Sequence, residues 1–105
     1  MTDPAERVAR LIGLGARARN VVIGVAGVQA GLARGEFACV VLAADASRRT
    51  REKVERPARA KGLPVCTGPK AAALGFGLGR PPVQAVGVTD RALARGVMDA
   101  CGGSV

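Results

Sequence analysis

The chain has 105 residues, with sixteen Lys and Arg against eight Asp and Glu, a net charge of +8, no His, and Phe37 and Phe76 as its aromatics. This length predicts one domain spanning 1–105, and its 49% hydrophobic residues can fill a small, aliphatic core. No apolar run approaches the roughly eighteen residues that cross a bilayer, and the acidic N-terminus, Met1 to Glu6, lacks a signal-peptide pattern, so a cytoplasmic protein with no membrane partner is expected.

Asp3 and Pro4 suit a helix start. Val8, Leu11 and Ile12 then repeat at helical spacing while Arg10 and Arg17 share another face, which predicts an amphipathic helix from Pro4 to Ala18. Val21-Val22-Ile23 reads as a short strand, and Gly24 as a turn. A second helix carries Val25, Val28 and Leu32 and ends at Gly35. The uncharged run Phe37–Ala44 reads as a strand buried on both faces, with a buried helical turn as the competing reading. Ser47 can cap a third, highly charged helix in which Pro57 should produce a kink or a split, because proline inside a helix costs about 3 kcal/mol. Gly62 ends that helix. Leu63–Thr67 is a third strand, placed near a sheet edge by Pro64.

A short helix starts at Lys70 and frays into Gly75–Gly79. Arg80-Pro81-Pro82 forces an extended loop, Gln84–Thr89 forms the fourth strand, and Asp90 caps a last helix through Leu93, Ala94 and Val97. The tail Gly102-Gly103-Ser104 is expected to be disordered. Four strands alternating with five helices make a three-layer α-β-α sandwich around a four-stranded mixed sheet.

Little here points to catalysis. The absent His removes the commonest general base, Cys and Ser lack an evident base, and the four Asp are scattered. Cys39, Cys66 and Cys101 lie far apart, unlike the close pairs of a zinc site; Cys39 and Cys66 read as small strand hydrophobes. Gly24, Gly27 and Gly31 follow a strand, as in dinucleotide-binding turns, but their spacing is G-x-x-G-x-x-x-G rather than G-x-G-x-x-G. No cofactor is expected. The glycines at 75, 77 and 79 suit either backbone approach to phosphate or a frayed helix end. The basic run from Arg48 to Lys61 reads as a solvated face with partial internal pairing, or as a secondary phosphate contact. Arg dominates the positive charge, and guanidinium forks match phosphate oxygens. A small basic domain of this kind points to nucleic acid; the alternative is that its Arg content reflects genomic base composition.

Several stretches, in order, resemble one family. Leu11-Ile12-Gly13-Leu14 with Arg17-Ala18-Arg19-Asn20-Val21-Val22-Ile23-Gly24 is similar to the opening of the kink-turn-binding ribosomal proteins, the L-seven-Ae / L-thirty-e group with its small bacterial members. Cys39–Ser47 resembles that group's central strand and Ala-x-Asp-x-Ser ending, Leu63-Pro64-Val65 its Val-Pro-Val strand, and Pro69-Lys70 with Leu74-Gly75 its Ser-Lys-x-x-Leu-Gly helix start. Leu78-Gly79-Arg80-Pro81 resembles its Gly-Val-x-Arg-Pro loop, and Val86–Asp90 its last strand.

The resemblance implies the same α-β-α sandwich and non-catalytic RNA binding, with rRNA or another structured RNA, and the ribosome or other translation proteins, as partners. It implies two contact elements. One is the turn and start of the second helix, with Arg19, Asn20, Gly24, Val25, Ala26 and Gly27. The other is the loop Leu78, Gly79, Arg80 and Pro81, in which an apolar residue covers a flipped-out nucleotide; Lys70 joins them. Ribosomal members carry Asn, Glu and Lys where this chain has Ala26, Gly27 and Ala30, which implies weakened kink-turn specificity. Restoring all three together is expected to be tolerated by the helix. The alternative is a scaffold or protein-interaction module that kept the fold and lost RNA recognition.

Overall fold

In the computed structural model, which describes residues 3–101, five helical segments alternate with four strands. Helix α1 (Pro4–Arg17) leads into β1 (Val21–Ile23), α2 (Val25–Arg34) and β2 (Cys39–Leu42). Helix α3 (48–60), β3 (Val65–Thr67), α4 (Ala71–Gly77), β4 (Ala85–Val88) and α5 (Arg91–Cys101) follow. The expected tail disorder concerns residues outside those described.

The sheet order is β1-β4-β2-β3. Strand β4 runs antiparallel to both β1 and β2, while β2 and β3 are parallel, so the sheet is mixed. The parallel step is bridged by α3, because parallel neighbours need a crossover connection. The two inner strands are buried at every residue, as a sheet covered on both sides requires. Alternation along β2 feeds two cores. Cys39 and Val41 pack with Val8, Ile12, Leu74 and Val97 under α1, α4 and α5. Val40 and Leu42 pack with Val28, Leu32, Val54 and Ala58 under α2 and α3.

Three local results differ from expectation. First, β2 covers four residues of the apolar run Phe37–Ala44. The flanks remain hydrogen-bonded, Ala38 N–H to the Val88 carbonyl and Ala43 N–H to the Gln84 carbonyl, while Phe37 turns its ring between Gly31 and Gly87. A Cβ on either glycine would overlap that ring.

Second, Pro57 does not split α3 in two. A wide π-type turn over Arg51–Glu55 precedes it, and the Arg56 N–H reaches back to the Arg51 carbonyl. The widened turn accommodates a residue that has no N–H to donate, and the α-helical turn Arg56–Ala60 continues through it. Third, Cys66 is buried in β3 as expected but also forms a disulfide with Cys101 of α5, with Cα atoms 6.0 Å apart, which ties the last helix to the sheet edge. Cys39 is free, and burial pushes its thiol pKa up to about 12, which makes it inert near neutral pH.

Candidate nucleic-acid interface

At one end of the sheet, the end of β1 and the start of β4 lie side by side, since Ile23 pairs with Val86. Each is joined there to a backbone device. After β1, Gly24 takes φ +100 and ψ 153, a conformation that glycine adopts without strain. Its N–H donates to the Ala85 carbonyl at 2.9 Å, and its carbonyl accepts the first bond of α2, from Val28 N–H at 3.0 Å. The helix therefore starts at the sheet edge, and the N–H groups of Val25, Ala26 and Gly27 have no intrahelical acceptor. They carry the positive end of the helix dipole.

Before β4, the chain from Leu78 to Gln84 folds back over α4. Arg80 N–H donates to the Gly75 carbonyl at 2.8 Å, and Val83 N–H to the Ala71 carbonyl at 3.0 Å. Gly75 makes this fit possible: a Cβ there would overlap the Pro81 carbonyl and stand 2.8 Å from the Arg80 oxygen. Arg80-Pro81-Pro82 is thus fixed by backbone contact and by proline. The Arg80 side chain is exposed and has no ion pair among the described residues.

The two devices face each other across an open cleft of about 350 Å³. Ile23, Val25, Pro81 and Val83 give it apolar walls, and Arg80 and Gln84 give it polar ones. Gln84 is held in place: its Oε1 accepts from Thr50 Oγ1 at 2.7 Å and from Ser47 N–H at 3.2 Å. Its Nε2 donors have no partner among the described residues. Such a cleft can take a phosphate against amides and guanidinium, and a planar group against proline and valine.

Of the expected contact residues, Gly24, Val25, Arg80 and Pro81 line this cleft, and Ala26 and Gly27 follow on α2. Gly79 is exposed on the loop with φ +66. Leu78 is half-buried and packs against the core beneath α1, α4 and α5. Lys70 precedes α4 and lines a different groove with Arg10 and Phe76. Arg19 and Asn20 lie at the opposite end of β1, where the Asn20 carbonyl accepts from the Thr89 N–H and hydroxyl; the structure does not bring them to the cleft. Gln84 was missed. Its signal was a polar residue heading an apolar strand, but its partners are 34 and 37 positions away.

Gly27 also departs from expectation. A Cβ there would lie 2.9 Å from Val22 Cγ1, so Gly27→Glu presses on a short, β-branched side chain of the sheet. Ala26 and Ala30 are exposed and accept side chains freely. Gly31, packed on Phe37, and Gly27, packed on Val22, account for two of the three glycines of the dinucleotide-like pattern.

Three of the six basic residues on α3 are paired with acids of the same helix. Arg48 reaches Glu52 at 3.4 Å, while Arg51 and Arg59 share Glu55 at 3.6 and 3.0 Å.

The sheet order and this loop-and-turn cleft define a class of small α-β-α proteins. Within it, the chain belongs to the ribosomal protein L7Ae/L30e/S12e/Gadd45 family, whose model matches residues 6–96. A protein of unknown function from Bacillus halodurans C has a similar structure, with TM-score 0.84 and 26% identity over 93% of this chain and 98% of that one. The Giardia lamblia 15.5 kD RNA-binding protein has the same fold, with TM-score 0.77 and 22% identity over 98% of this chain and 88% of its own. No curated protein matches the chain significantly. No helix among the described residues is long and apolar enough to cross a membrane.

Proposed function

We propose that the protein is a non-catalytic, cytoplasmic RNA-binding factor of the translation machinery that grips structured RNA in the cleft between Gly24–Gly27 and Leu78–Gln84. The observation that carries this reading is the pairing of unsatisfied α2 amides with Arg80, whose backbone is clamped, across one cleft. Amides and guanidinium read phosphate and shape, which position RNA without naming its bases. The net charge of +8 adds long-range attraction. The family's ribosomal members and the RNA-binding Giardia neighbour support the same reading.

Kink-turn discrimination is weak in this proposal, because Ala26, Gly27 and Ala30 offer no side-chain donors or acceptors. Those three residues also favour a second reading, a protein-interaction module that keeps the fold without RNA recognition. Titration of structured RNA by fluorescence anisotropy across a salt series separates the two. RNA binding that weakens steeply with salt supports the first; no binding at low salt overturns it.

A further inference from the structure

Phe76 is 88% exposed, on the last turn of α4, with Leu14 of α1, 54% exposed, as the other large apolar side chain so open among the described residues. An aromatic ring left in water contributes little to the fold, and this one lies between Gly75, which holds Arg80, and Gly79, whose N–H donates to the Phe76 carbonyl. The backbone of Phe76 adjoins the proposed RNA loop, while its ring lines a separate groove between α1 and α4.

Two grooves meet here. Phe76 lines one with Arg10 and Lys70, and Asp3 and Glu6 also border it. Gly77 lines both grooves; the second is walled by Arg10, Leu14 and Arg17, with Gly13 and Gly77 at its base and no acid in its lining. A Cβ on Gly13 would sit 3.5 Å from the Gly77 carbonyl oxygen, so bare backbone floors this groove. Arg10, Arg17 and Lys70 form no ion pair among the described residues.

We propose that Phe76 is a stacking platform for one unpaired base of an RNA strand leaving the cleft, and that Arg10 and Arg17 hold the phosphates beside it. This rests on the RNA-binding reading above. An exposed aromatic beside a track of unpaired cations is the arrangement that holds single strands without sequence choice, by stacking and backbone neutralisation. The same charges argue against a second copy of this basic chain as the occupant, since it would bring its own excess of Arg.

The test compares two RNAs by anisotropy at one salt concentration: a kink-turn hairpin, and the same hairpin with four unpaired uridines at each end. Phe76→Ala should weaken binding of the extended RNA by about tenfold and leave the plain hairpin unchanged, while Phe76→Tyr should behave as wild type. Equal affinity of wild type and Phe76→Ala for the extended RNA overturns the proposal; if Arg80→Ala still loses affinity, the cleft reading survives alone. Failure of the wild-type protein to bind either RNA overturns both. Loss of self-association in Phe76→Ala by sedimentation, with RNA affinity intact, would assign the ring to a second copy and also overturn the proposal.

Discussion

Helix α3 and the loop from Leu78 to Gln84 differ in a way that charge counting misses. The helix carries six basic residues between 48 and 60, and the loop carries Arg80. Yet Arg48, Arg51 and Arg59 are committed to Glu52 and Glu55, and Arg51 Nη2 also donates to the Ala44 carbonyl at 3.3 Å. Exposed pairs of this kind contribute at most about 1 kcal/mol, but they lower the local excess of positive charge. Arg49, Lys53 and Arg56 have no ion pair among the described residues, and neither has Arg80, but Arg80 alone of these sits on a loop whose backbone is clamped over α4. For binding an anion, an unpaired cation on a clamped backbone counts for more than one that is locally neutralised.

Damage to the fold must first be separated from damage to the site. The largest expected effect on stability comes from reducing Cys66–Cys101, which closes a loop with a sequence separation of 35 and joins β3 to α5, away from both α3 and the cleft. Its loss should lower stability by up to about 3–4 kcal/mol and leave RNA affinity nearly unchanged, as a denaturant melt and an RNA titration with and without dithiothreitol would show. Thiol counting gives an independent check. No thiol should react in the native oxidised protein, Cys39 alone should react on unfolding, and all three after reduction. Reducing compartments seldom preserve such a bond, so in a cytoplasm the protein would work at the lower stability.

Next in size is Gly75→Ala, which removes no charge. The added methyl must displace the Pro81 carbonyl, and overpacking of this kind costs about 1–3 kcal/mol. If the position of Arg80 matters more than its charge, this variant should lose about tenfold in RNA affinity while keeping the net charge of +8. Unchanged affinity would mean that bulk charge suffices and that the contrast with α3 has no functional weight.

A smaller effect sharpens the contrast from the other wall of the cleft. Wild type should barely distinguish a kink-turn from the same RNA with its G·A pairs replaced. Ala26→Asn with Ala30→Lys should introduce a preference of about fivefold, below the roughly 1–3 kcal/mol that a good bidentate base contact supplies. Gly27→Glu should be left out, because it strains Val22. Strong discrimination by the wild-type protein would assign base reading to another group, with Gln84 Nε2 as the first to examine.

Most of the fold was legible because its signals are local. Apolar runs marked the inner strands, Ser47 and Asp90 cap their helices through Thr50 N–H and Leu93 N–H at 3.1 and 2.8 Å, and Gly35 takes the left-handed cap at φ +68. Pro64 preceded an edge strand. What stayed illegible depends on contacts distant in sequence or on exact geometry. Pro57 fits because a π-type turn precedes it, and that turn has no simple residue pattern. The pairing of Cys66 with Cys101 and the anchoring of Gln84 by Thr50 depend on packing. For the site, the turn at Gly24 and the loop at Arg80 were readable from their glycine and prolines. Arg19 and Asn20 were close in sequence to the turn at Gly24 but not in space, because a three-residue strand is enough to send a neighbour to the far end of the sheet, and Lys70 is separated from the loop by the helix Ala71–Gly77.

The most direct test of the central claim is the salt dependence of structured-RNA affinity for Arg80→Ala beside Arg48→Ala. Arg48 is the better control than Arg51, since it is exposed and, unlike Arg51, donates to no backbone carbonyl among the described residues. With a specific phosphate contact at Arg80, Arg80→Ala should weaken binding and reduce the slope of log affinity against log salt by about 1, while Arg48→Ala leaves both nearly unchanged. Equal losses in the two variants, with equal slopes, would contradict the account and reduce the interaction to unspecific charge.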